Sequence, residues 1–138
     1  MTGLANSNLN NKVSRALKEL ETHDIVFMHI KAADSLAEDG NVKGKIAFIE
    51  QLDLALKPIA ELEDVITLVT ADHTTSCALQ KHTADPVPLT IKGPGIRTDD
   101  INSYTERECA RGRLGTLRGL NVMPIVIDLM GASELYGA

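Results

Sequence analysis

The chain of 138 residues has only two cysteines, Cys77 and Cys109, too few and too far apart for a disulfide framework or a zinc ribbon. No charged-then-apolar leader precedes the first patterned segment, which, with the cysteine usage, points to the cytoplasm. Long hydrophobic runs are missing too. A stretch such as Val122 to Ile127 falls well short of the roughly 20 apolar residues that cross a bilayer, so no membrane partner is expected. Positive charge is not in excess: the net charge is −5. Arg107, Arg111, Arg113 and Arg118 cluster, but acids are interspersed among them, which leaves room for a local anion site and argues against a nucleic-acid surface. There is no internal repeat and no low-complexity tract.

What remains is an ordinary globular composition, 43% hydrophobic and 24% charged, and the length predicts a single domain over residues 1–138. Leu9, Val13, Ala16, Leu17 and Leu20 recur at helical spacing, with Ser7 or Asn8 available as the cap. Asp24 to Ile30 is apolar almost without interruption and reads as a strand covered on both faces. A second helix is predicted from about Val42 to Leu62 on a stripe of Ile46, Ile49, Leu52, Leu56 and Ile59, with Pro58 to kink or shorten it. Val65 to Thr70 is the next strand. Strand, helix and strand in this order predict a parallel βαβ unit, whose ligands collect at the carboxyl ends of the strands. Val87 to Ile91 reads as a short third strand, with Pro88 placing it at an edge or a strand start, and Gly93-Pro94-Gly95 closes it. Met123 to Met130 reads as a final buried helix, with Pro124 in its first turn and Gly131 just past its end.

Three segments carry chemistry. Asp72-His73 ends the Val65 strand with an oxygen and a nitrogen ligand side by side, a pair that suits zinc or manganese better than calcium or magnesium. Such a pair is also an ordinary strand-end turn. His82 precedes Asp85-Pro86-Val87-Pro88, and a proline-stiffened segment loses less conformational freedom when its histidine binds. The bland alternative is a surface histidine on a loop. In the third segment, His29 to Gly40, Asp34 and Glu38 stand four apart, which puts both carboxylates on one side of a helical turn; a solvated acidic loop is the competing reading. His29 reads as a core residue, and Cys77 as a small buried residue and not a nucleophile.

Taken in order, His29-Ile30-Lys31-Ala32-Ala33-Asp34, Thr70 to Cys77, His82 to Pro88, Gly93-Pro94-Gly95-Ile96-Arg97, Met123-Pro124-Ile125 and the terminal Tyr136-Gly137-Ala138 resemble the carboxy-terminal part of the archaeal-type cofactor-independent phosphoglycerate mutases, members of the alkaline phosphatase superfamily. The resemblance runs from Thr2 to Ala138. It implies an α/β fold with a parallel-sheet, alkaline-phosphatase-like core and flanking helices, present here as a partial domain. It also implies a two-metal site for Mn2+ or Zn2+. In that family a serine is transiently phosphorylated between the two metals, and the phosphoryl group returns to glycerate at the other hydroxyl, interconverting 2- and 3-phosphoglycerate in glycolysis. By resemblance, Asp72 and His73 serve the metal that touches the nucleophile, and Asp34 and His82 serve the other.

Two departures qualify the likeness. The family completes the second metal with the histidine of a Gly-His pair four residues beyond the Asp34 position; here the pair is Ala37-Glu38. Glu38 can ligate through oxygen, but it adds negative charge and shifts preference toward harder cations. The nucleophilic serine and the first aspartate ligand belong to the family's amino-terminal half, and the residues before Leu9 offer no place for them. Ser7 and Ser14 sit in a capping region and a helix, so no residue is assigned as catalytic. The expectation is a mutase-like metal domain, inactive by itself, whose partners are a phosphoglycerate and either the missing amino-terminal half or further copies of the chain. The alternatives are a degenerate structural or interaction module of the same fold, and another phosphatase or phosphomutase on the same scaffold.

Overall fold

The structure, a computed structural model, describes residues 8–134. In chain order it has helices α1 (Leu9–Glu19), α2 (Ala32–Glu38) and α3 (Val42–Ala60), strands β1 (Thr67–Val69), β2 (Thr74–Ser76), β3 (Lys81–Thr83) and β4 (Thr90–Lys92), and helices α4 (Glu106–Cys109) and α5 (Gly119–Leu129). Contacts divide the chain into two compact units: Met1–Leu62 with Thr75–Thr83, and Glu63–Thr74 with Ala84–Ala138.

In the first unit α1 starts where the Asn8 side chain accepts a hydrogen bond from the Asn11 amide, the usual reward of an Asn cap. Ser7, the other cap candidate, lies outside the described residues. Val13 and Ala16 of the expected stripe are buried, and α3 packs against both α1 and α2. The unit's buried apolar residues are Val13, Ala16, Ala32, Ala37 and Phe48. Ala32 and Ala37 carry only a methyl group, which lets α2 approach its neighbours closely.

The α2–α3 joint is built tightly from local hydrogen bonds. Gly40 has φ +66°, its amide bonds the Ala37 carbonyl at 3.0 Å, and the Asn41 amide reaches back to the Leu36 carbonyl at 2.8 Å. This is a Schellman C-cap, and it needs a residue tolerant of the left-handed region. Asn41 then caps α3 by accepting from the Gly44 amide at 2.9 Å. A Cβ on Gly40 would lie 2.5 Å from Gln80 Nε2, the end of a flexible side chain that can swing aside, so it is the left-handed φ that asks for glycine here. Gln80 itself has φ +53° in the turn that joins β2 to β3, the two strands of one small sheet.

In the second unit β1 and β4 form an antiparallel ladder, Thr67 opposite Lys92, Leu68 opposite Ile91 and Val69 opposite Thr90. Gly93 follows β4 where a Cβ would meet the Ile66 backbone at 2.9 Å, so no side chain fits there. A Schellman cap also ends α5, with Gly131 at φ +67° and the Ala132 amide on the Ile127 carbonyl.

The α/β class holds, and several details differ from expectation. Among the described residues Asp24 to Ile30 forms no strand, so the parallel βαβ pairing expected between it and the Val65 segment is not formed, and β1 pairs antiparallel with β4 instead. An extended apolar segment becomes a strand only with a partner to complete its hydrogen-bond ladder, and local pattern does not report the partner. His29 is exposed and not in the core; its carbonyl accepts from the Lys12 ammonium at 2.8 Å. On α3, Ile46 and Ile49 are half-exposed and the buried position is Phe48. Helix α3 carries Pro58 in its last turn and ends two residues later. Helix α5 begins at Gly119, so Pro124 is its sixth residue and not in the first turn. The proline removes only the bond to the Leu120 carbonyl, which sits in an exposed turn open to water.

Candidate metal centre

Helix α2 follows directly on the extended segment, and its first turn carries Asp34, with the side chain only 18% exposed. Glu38 is one helical turn further on, the last residue of α2. The i, i+4 spacing sets both carboxylates on the same side, and His82 of β3 meets them there. Its Nε2 lies 3.4 Å from Asp34 Oδ1 and 3.8 Å from Glu38 Oε1. The Lys31 ammonium stands 3.6 Å from Asp34 Oδ2. Helix and hairpin thus present one imidazole nitrogen and two carboxylates from a single compact unit.

The Asp34 carboxylate is also bonded by a residue outside the sequence-predicted site. The Thr75 hydroxyl of β2 donates to Asp34 Oδ1 at 2.6 Å, and Thr75 is 6% exposed. Its carbonyl accepts from the Lys45 ammonium of α3 at 3.0 Å, so β2 is tied to both helices. Thr75's signal in the sequence is its place two residues after His73.

Asp72 and His73 lie in the bend between β1 and β2, in the second unit. The Asp72 side chain is 74% exposed, its Oδ1 accepts from the His73 amide at 3.1 Å, and its Oδ2 is 3.5 Å from His73 Nε2. The two residues therefore face each other, as a strand-end turn allows. Downstream, Thr74 donates through its hydroxyl to the Asp85 carbonyl at 3.0 Å, pinning the proline-rich segment. Cys77, expected to be buried, is half-buried. Ser14 is exposed on α1, and Ser7 and Tyr136-Gly137-Ala138 lie outside the described residues.

The donor set of Asp34, Glu38 and His82 is of the mixed oxygen and nitrogen kind that binds borderline divalent cations, so the residues present fit a metal of that class. A cation between the Asp34 and Glu38 carboxylates would relieve their mutual repulsion, as the Lys31 ammonium does beside Asp34.

A 2,3-bisphosphoglycerate-independent phosphoglycerate mutase from Methanoculleus marisnigri is 46% identical over 99% of this chain, which covers 33% of that protein. A phosphoglycerate mutase of the same description from Archaeoglobus fulgidus is 42% identical over 99% of the chain and 34% of its own length. The chain thus spans about a third of the length of these relatives. The solved structure of the PH0037 protein from Pyrococcus horikoshii superposes with a TM-score of 0.93 at 41% identity, over 99% of this chain and 42% of that one. No described helix is long and apolar enough to cross a membrane. The model of the metalloenzyme superfamily matches residues 2–129, and the chain belongs to that superfamily.

Proposed function

We propose that this chain supplies ligands to the divalent-metal centre of a cofactor-independent phosphoglycerate mutase, interconverting 2- and 3-phosphoglycerate in cytoplasmic glycolysis, with the phosphorylated serine contributed from outside these residues. One observation carries the reading: a single imidazole, His82, within 3.4 Å of Asp34 and 3.8 Å of Glu38. Asp34, His82 and Glu38 would hold one cation, and Asp72 with His73 would serve the other. Bound there, Mn2+ or Zn2+ would neutralise the charge of a transferring phosphoryl group. The chain's own residues contribute position and charge: Asp34 is fixed on a helix, His82 is fixed on a hairpin, and Lys31 offers a cationic group beside Asp34. Without the nucleophile, covalent catalysis is absent, so the purified chain is expected to show no mutase activity.

Glu38 in place of a histidine shifts preference toward harder cations, so zinc is expected to bind weakly at this position. The same residue supports a second reading, a domain of this fold that binds metal weakly and serves as a structural module. Calorimetric titration with MnCl2 and ZnCl2 separates them. Binding that His82→Ala abolishes, together with tighter zinc binding in Glu38→His, supports the metal centre; equal zinc binding in the parent and Glu38→His places Glu38 outside it.

A further inference from the structure

We propose that Thr75 is the positioning residue for Asp34: its buried hydroxyl fixes the carboxylate in the orientation that faces His82. The proposal rests on the reading of Asp34 and His82 as metal ligands and adds a residue that reading does not contain. Thr75 is the buried polar residue among the described ones, and a buried hydroxyl costs stability unless it is bonded. Its partner is a carboxylate at 2.6 Å, in the range of charge-assisted O–H···O− bonds, which are roughly twice as strong as neutral ones.

The geometry makes the bond directional. Thr75 is β-branched and sits in the middle of β2, so its side-chain rotamer is restricted by the strand. The strand is in turn held from α3, whose Lys45 ammonium bonds the Thr75 carbonyl at 3.0 Å. The oxygen that Thr75 engages, Oδ1, is also the one 3.4 Å from His82 Nε2. A carboxylate oxygen has two lone pairs, so one can accept from Thr75 while the other points to the histidine side. Left to itself, an aspartate in the first turn of a seven-residue helix would sample several rotamers; the hydroxyl selects one. Hydrogen bonds of this kind behind a ligand commonly change metal affinity ten- to a hundredfold when removed.

The test uses the 138-residue protein and Thr75→Val, which keeps the shape and deletes the hydroxyl, with Thr75→Ser as the rescue. In the metal-free parent, three-bond couplings should report one Asp34 χ1 rotamer, and a slowly exchanging Thr75 hydroxyl proton should show a cross-peak to the Asp34 β-protons. Thr75→Val should average the couplings and weaken zinc binding, measured by calorimetry with ZnCl2, at least tenfold, and Thr75→Ser should recover most of the loss. A single Asp34 rotamer retained in Thr75→Val, or unchanged zinc affinity in that variant, overturns the proposal. If the parent binds no zinc, the metal reading falls, and the couplings alone decide the role of Thr75. If Thr75→Val does not fold, the hydroxyl cross-peak in the parent decides, its absence overturning the assignment.

Discussion

The two units solve the problem of holding loops in place by different means. The first has a small apolar core, Val13, Ala16, Ala32, Ala37 and Phe48, and closes its helices with a Schellman turn and an Asn cap. The second has no buried apolar side chain among the described residues, and is pinned by polar contacts instead. Thr70 and Tyr104 both donate to the Pro88 carbonyl, at 3.0 and 3.2 Å, and Asp99 accepts from the Ile101 and Arg113 amides at 3.1 and 2.9 Å. Their threonines contrast too: the Thr75 hydroxyl is bonded to Asp34, whereas on β1 the half-buried Thr67 holds a buried hydroxyl oxygen with no hydrogen-bond partner. Apolar burial locks the side that carries Asp34 and His82, while the other side depends on directional bonds that water can contest.

The sharpest way to break this comparison is to remove the core of the first unit. Phe48→Ala should destabilise the protein by roughly 3–5 kcal/mol, the usual cost of emptying a buried phenylalanine site, read as a lower midpoint of urea unfolding. A loss below about 1 kcal/mol would mean that Phe48 holds no core together, and that the two units differ less than their burial suggests.

Thr67→Val moves stability in the opposite direction. It deletes a buried hydroxyl that has no partner and keeps the β-branched shape that suits a strand, so a gain of about 1 kcal/mol is expected. The same exchange at Thr75 removes a bonded hydroxyl and should cost stability. Parallel urea titrations of the two variants check the difference in sign.

Tyr104 sharpens the comparison through pH. Burial, followed by the nearby Cys109 and Glu106, raises its pKa to about 12. Because the folded value lies above the ordinary value of 10, the contribution of the neutral phenol is fully present below pH 10 and is lost as pH rises toward 12. Ultraviolet difference titration of the parent against Tyr104→Phe should isolate a phenolate that forms near pH 12, and the parent's stability relative to Tyr104→Phe should fall as pH rises through the same interval. At neutral pH that gap should be about 1 kcal/mol, the net worth of one hydrogen bond to the Pro88 carbonyl. A phenolate forming at pH 10 would show that the hydroxyl is solvated and that this pin is absent.

How much of this was legible in the chain depends on whether the cause was local. Helices α1 and α3 announce themselves by periodic apolar residues, and α2 by the Asp34 and Glu38 spacing that His82 meets. The glycine past α5 marked its end correctly, since the left-handed φ of Gly131 is a property of one residue. What escaped depends on distant partners. Asp24 to Ile30 has the composition of a strand, but a ladder is made by two segments and only one is visible in a local run. Ile46 and Ile49 lie on a stripe as regular as any buried one, yet the burial fell to Phe48, because α3 carries more than one apolar face and packing chooses between them. Thr75 carries no signal in a local run, because hydroxyls are common and their importance comes from what they touch.

The smallest effect is expected on the exposed side of α5. Leu120, Met123, Ile127 and Met130 recur at spacings of three and four along the helix, and their exposures are 80%, 47%, 36% and 37%. On sequence alone this stripe is indistinguishable from a core stripe, and the sequence predicts a buried helix here. Leu120, at 80% exposure, has little apolar area left to lose, so Leu120→Ala should change stability by less than about 0.5 kcal/mol, against several for Phe48→Ala. Urea unfolding at two protein concentrations checks it. A loss above about 2 kcal/mol that grows as the protein is concentrated would mean that copies of the chain bury this stripe against one another, making it the missing core of the second unit.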